Sequence, residues 1–137
     1  MTEQLAALAK AHLRVARPTD DLIAVARFYR DGLGFEVLYE FRDHDGFDGV
    51  MLGKPGMGWH FEFTYCRTHP VKPSPTPEDL AVFYVPQPAE WGKACASMLD
   101  AGFVEVEPFN PYWRERGRTF CDPDGYRVVL EQAAWRS

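Results

Sequence analysis

Leu13-Arg14-Val15-Ala16-Arg17-Pro18-Thr19-Asp20-Asp21, the apolar-striped run from Leu22 to Leu33, and then Gly34-Phe35 together decide how this chain folds. Residues 12–16 alternate polar and apolar side chains, the period of a half-buried strand. Asp20 and Asp21 carry a helix-start signal, and Leu22, Val25, Ala26, Phe28 and Tyr29 recur at helical spacing. Gly32 and Gly34 are expected to end that helix. The same order then returns. Phe83-Tyr84-Val85 precedes a Pro-rich turn, a second striped helix and Gly102-Phe103. Val15 matches Val85 at an offset of 70 residues, and Phe35 matches Phe103 at an offset of 68. A single duplication of this length indicates two fused modules rather than a solenoid.

Working outward, Phe35 to Phe41 reads as a second strand, 44–49 as a turn, Val50-Met51-Leu52 as a short strand and Trp59 to Tyr65 as a fourth. Residues 68–79 hold Pro70, Pro73, Pro75 and Pro77, which suits an extended linker. Beyond it come strand 80–85, helix 89–100, strand 104–107, a strand near 119–121, the Asp122-Pro123-Asp124-Gly125 turn and a last strand, Arg127–Glu131. The expected architecture is α+β: two tandem βαβββ modules in one domain over 1–137, with a first module at 10–65, a Pro-rich linker at 66–79 and a second module at 80–132. Strand parity assigns Leu13, Val15, Phe61, Phe63, Phe83, Val85, Val128 and Leu130 to a face that packs on the helices. The opposite face carries Lys10, His12, Arg14, His60, Glu62, Leu80, Val82, Tyr84, Arg127, Val129 and Glu131, a polar lining for a cup.

At 137 residues the chain can bury a core without staples. Its net charge of −5, with both signs interspersed, offers no basic stripe for nucleic acid. No apolar run is long enough to span a membrane, and the first twelve residues do not read as a signal peptide. Cys66, Cys95 and Cys121 are odd in number and lack CxxC spacing, which fits reduced thiols and a cytoplasmic address. There is no Walker-type loop, no dinucleotide fingerprint and no Ser–His–Asp order.

Arg27-Phe28-Tyr29-Arg30-Asp31-Gly32-Leu33-Gly34-Phe35, Phe61-Glu62-Phe63 and Asp122-Pro123-Asp124-Gly125-Tyr126-Arg127-Val128-Val129-Leu130, in this order and spacing, resemble the vicinal oxygen chelate superfamily. That superfamily includes glyoxalase I, bleomycin-resistance proteins and extradiol dioxygenases. Arg17-Pro18-Thr19, residues 44–51 and Asn110-Pro111-Tyr112-Trp113 resemble a YycE-like branch of it. The resemblance covers residues 10 to 132 and implies sheets curled around a central cleft, with helices outside. It also implies a divalent metal held at four equivalent strand positions, mainly by His and Glu. Here those positions fall at Lys10, Glu62, Leu80 and Val129. One carboxylate beside an ammonium and two aliphatic groups does not make a transition-metal site.

The residues leave several functions open. A metal-free binder of a small aromatic or anionic compound, of the bleomycin-resistance kind, would use His12, Arg14, His60, Glu62, Tyr84, Tyr112, Trp113 and Arg127: rings for stacking, guanidinium forks for an anion. An enzyme would use a divalent metal at His12, His60 and Glu62, or Glu62 as a general base. A third reading is an interaction or regulatory module whose cleft is filled by its own side chains. Residues 114–118 form a charged loop near the cup. Open strand edges lead us to expect a homodimer.

Overall fold

In the computed structural model, which describes residues 3–136, the chain runs through a short helix α1 (Glu3–Leu8), β1 (Leu13–Pro18), α2 (Leu22–Leu33), β2 (Glu36–His44), β3 (Phe47–Gly53) and β4 (Trp59–Cys66). After the linker it continues with β5 (Leu80–Tyr84), α3 (Pro88–Ala101), β6 (Val104–Val106), a 3-10 turn (Pro111–Trp113), β7 (Gly117–Cys121) and β8 (Arg127–Glu131). Two four-stranded mixed sheets result, ordered β1-β4-β3-β2 and β5-β8-β7-β6. In each sheet the first strand lies parallel to the last, and the other pairings are antiparallel. This is the expected pair of βαβββ modules, with α1 as an addition that the strand and helix patterns did not announce.

The helix ends follow their capping chemistry. Asp21 accepts a bond from the Ala24 amide at 3.0 Å, and Gly34 closes α2 in the left-handed region at φ 72°. Gly32, expected to help end the helix, lies inside it instead. A Cβ there would sit 2.6 Å from the Phe103 ring, so Gly32 lets the two modules approach closely. The hairpin joining β2 to β3 is also tighter than expected, because Asp45 and Gly46 both take positive φ and the strands run on to His44 and Phe47.

Both modules share one core. Val25, Tyr29, Phe35, Leu52, Phe61 and Phe63 from the first pack with Cys95, Met98, Phe103, Phe120, Val128 and Leu130 from the second. Tyr29 crosses the seam and donates to Asp122 Oδ2 at 2.6 Å, both groups being buried. Asp122 also accepts from the amides of Asp124 and Tyr126, which ties the turn before β8 to the first module's helix. The predicted apolar face therefore does meet the helices, with one departure. Leu13 is 59% exposed, because it starts β1 at the open edge of its sheet.

Register corrects the alignment of the two modules. Arg14 pairs with His60 and Leu80 with Arg127, while Gly53–His60 and Cys121–Arg127 close the matching hairpins. Thr19 N bonds to Thr64 O just as Val85 N bonds to Glu131 O. Arg14 is thus the counterpart of Leu80, His60 of Arg127 and Glu62 of Val129. The sequence offset of 70 for the first strand gives way to one of 66. A strand's alternation fits any even shift, so its apolar pattern alone could not fix the register.

Candidate functional site

The four equivalent strand positions are therefore Arg14, Glu62, Leu80 and Val129. Lys10, expected to be the first of them, lies in the exposed turn ahead of β1. Arg14, four residues further on and inside the strand, holds that place and reaches three neighbours. Its Nε donates to His60 Nε2 at 2.9 Å, Nη1 lies 3.7 Å from Glu62 Oε2, and Nη2 lies 3.6 Å from Met51 Sδ. Glu62 thus receives a cation from its own sheet face, the pairing a carboxylate on a concave surface needs.

The histidines complete a directed chain. Arginine can only donate, so His60 Nε2 accepts, and the neutral ring carries its proton on Nδ1. That nitrogen lies 2.5 Å from His12 Nε2, so His60 donates and His12 accepts. The two rings are 4.7 Å apart. Burial, then the Arg14 charge, hold the His60 imidazolium below the usual histidine range, which keeps the chain in this sense.

This arrangement does not fit a metal. Both His60 nitrogens are engaged, one by Arg14 and the other by His12, and a guanidinium occupies the space before Glu62. Among the described residues no group of three or more His, Cys, Asp or Glu side chains converges in a metal-holding arrangement. The ligand trio of His12, His60 and Glu62 is set aside on that donor chemistry.

The other sequence candidates lie apart. Tyr84 packs on Trp135 of the C-terminal segment, ring centres 5.8 Å apart, and Tyr112 meets Trp113 edge-on within the 3-10 turn. Arg127 reaches the Glu107 carbonyl at 3.4 Å. Among the described residues no hydrogen bond, ion pair or ring contact joins Tyr84, Tyr112, Trp113 or Arg127 to the Arg14 cluster. Shared parity put Tyr84 and Arg127 on the equivalent face of the other sheet, while Tyr112 and Trp113 lie on the 3-10 turn beside it. The charged stretch 114–118 is partly strand: β7 begins at Gly117, and Arg118 is fixed to Glu105 at 2.6 Å.

The same architecture recurs in known proteins. The YycE-like N-terminal domain matches residues 13–64 and the YycE-like C-terminal domain matches 78–132. YycE of Bacillus subtilis strain 168 is 41% identical over 130 residues, which span 95% of this chain and 94% of that one. The chain belongs to the YycE-like family. The crystal structure of the B. subtilis YycE protein superposes with a TM-score of 0.86 over 93% of both chains. Two more distant structures share the vicinal oxygen chelate fold. Glyoxalase I of Leishmania major is 19% identical, with a TM-score of 0.67 over 88% of this chain and 84% of that one. An antibiotic-binding protein from Streptomyces sp. CB03234 is 21% identical, with a TM-score of 0.63 over 90% and 95%.

In this YycE-like chain a ligand-sized cavity of about 410 Å³ lies between β1 and β5. Only His60 and Tyr84 among the sequence candidates reach it. Arg17, which sequence reading passed over as a turn residue, also lines it. The signal was available: an arginine in alternation with Leu13 and Val15 stands where the core-facing pattern calls for an apolar side chain.

Proposed function

We propose that this protein binds a small anionic or aromatic compound through the polar face of its first module, without the divalent metal of its superfamily. The observation that carries this reading is Arg14, which stands at a family ligand position and directs its guanidinium to Glu62. An arginine there supplies a fixed positive charge where a metal ion would otherwise supply one. About half of its side chain is exposed, so part of its donor fork is open to an acceptor on a ligand. His12 is exposed at the end of the same chain of bonds. Binding of the kind named for the Streptomyces antibiotic-binding protein needs no more than such an anchor and an apolar wall.

A second copy of the chain would supply that wall. β1 and β5 each end their sheet with an unpaired edge, so association across these edges would set a second module against the first module's polar face. A homodimer acting as a cytoplasmic binder is the form we propose. The interaction-module reading keeps some support from the second module, whose corresponding face buries Val129 and Glu131 within the chain.

Equilibrium dialysis of the purified protein against a panel of anionic aromatic metabolites and antibiotics tests the reading. A ligand tighter than high micromolar, weakened roughly tenfold or more by Arg14→Gln, is the expected result. Failure of every compound, or stoichiometric zinc, iron, manganese or nickel in the purified protein, would overturn it.

A further inference from the structure

We infer that the seam between the two modules is a second ligand site, which takes a small amphiphile bearing a single carboxylate and uses Arg17 as its anchor. Arg17 lies on the core-facing side of β1, at the position that Phe83 holds in the second module. A guanidinium on that side costs free energy unless its charge is met. Two rings meet part of it: the guanidinium carbon lies 4.4 Å from the Tyr126 ring centre and 5.4 Å from that of Phe61. Its Nη1, however, is buried with no hydrogen-bond partner. Among the described residues no carboxylate forms an ion pair with it.

The same side chain lines the cavity of about 410 Å³ between β1 and β5, a volume within the usual range for small-molecule sites. Leu13, Val15, Trp59, Leu80 and Phe83 make half of the remaining wall, His60 and Tyr84 add polar tips, and no aspartate or glutamate borders it. A guanidinium bordering an apolar, ring-rich space calls for one anionic acceptor on an apolar body. A carboxylate matches a guanidinium fork in charge and shape, whereas a phosphate dianion would keep an uncompensated charge. Arg14 does not line this cavity, and of its polar cluster only His60 borders it, so the two sites adjoin but use different guanidinium anchors.

Calorimetric titration of the intact protein with naphthaleneacetate, and with naphthaleneethanol as its neutral analogue, tests the inference. The acid is expected to bind roughly tenfold or more tightly than the alcohol. Arg17→Met should erase that preference while leaving the alcohol's affinity in place. Val82→Trp, which fills the cavity and keeps Arg17, should weaken both ligands and guards against a folding defect in the first variant. Equal affinities for acid and alcohol in the unmodified protein, or no binding of either, would overturn the proposal. So would loss of the preference in Arg14→Gln but not in Arg17→Met, which would assign the acid to the polar face instead.

Discussion

The two modules share strand order, register and helix placement, yet their matching faces are built for different ends. In the first, Arg14, His60 and Glu62 form one connected polar group. In the second, the same positions hold Leu80, Arg127 and Val129, and Val129 is fully buried. The segment 107–116 comes close to this second face: Arg127 bonds to the Glu107 carbonyl, and the Trp113 carbonyl crowds Gly117. Duplication has preserved the backbone plan while the chemistry of the two faces has parted. Backbone pairing and a shared core constrain the plan, but nothing in the plan dictates which side chains stand on the outer face.

The sharpest test of that contrast uses a glycine at one position in both modules. Gly49 pairs with Thr64 and Gly117 with Glu131, in matching registers. A Cβ at Gly117 would lie 2.5 Å from Glu131 Oε1 and 2.6 Å from the Trp113 carbonyl, whereas the nearest atoms to one at Gly49 all belong to the Phe41 ring. A ring can rotate away and a backbone cannot. Gly117→Ala should therefore lower stability by about 2–3 kcal/mol and Gly49→Ala by about 1 kcal/mol or less, read as shifts in urea midpoint. Equal losses would mean that the second face is covered no more rigidly than the first.

The faces should also respond to pH with opposite signs. Burial raises the Glu131 carboxyl above its ordinary value of 4.5, and its Oε1 is buried without a partner. From that value up to the raised one, the native protein binds more protons than the unfolded chain, so stability falls as pH rises. Glu131→Gln should thus stabilise the protein at neutral pH by about 1 kcal/mol, with the gain shrinking toward pH 5. His60 behaves in reverse. Its folded value lies below the ordinary 6.5, so on acidification the unfolded chain takes up the proton first and stability falls. His60→Gln, whose amide oxygen can still accept from Arg14, should flatten that acid limb. Thermal melts of the two variants between about pH 5 and 8 read both slopes. Slopes of the same sign would remove the electrostatic half of the comparison.

Much of the fold was legible because local signals agreed with one another. The Asp21 cap, the stripe from Leu22 to Tyr29, Gly34 and the Asp122–Gly125 turn each point to one structure, and the second module repeats the message. The site was less legible. Parity showed which side chains share a face type, but it could not show that His12, Arg14, His60 and Glu62 sit on one sheet while Tyr84 and Arg127 sit on another. Nor could alternation choose between register shifts of two or four residues, which is why Lys10 stood in for Arg14. Arg17 was hidden for a different reason. Its break in the Leu13–Val15 alternation was a local signal, but the cavity that gives it importance is lined by β1 and β5 together, and no local pattern encodes that cavity.

The smallest expected effect belongs to Glu62, and it separates a binder from a catalyst. Its ion pair with Arg14 is long, at 3.7 Å, and Arg14 is about half exposed, so the pair adds little to stability. Glu62→Gln keeps the shape and leaves Arg14 its bond to His60, so stability should change by less than about 1 kcal/mol. If Glu62 only balances Arg14, the affinity for an anionic ligand should hold within a few-fold, or improve slightly as the competing carboxylate is removed. If Glu62 instead removes a proton from a substrate, the same change should abolish turnover while binding and folding survive. Parallel titration and turnover measurements on this one variant decide between the two. An unchanged affinity together with a lost reaction would show that the first module's open face performs chemistry, and that its difference from the second is one of catalysis rather than recognition.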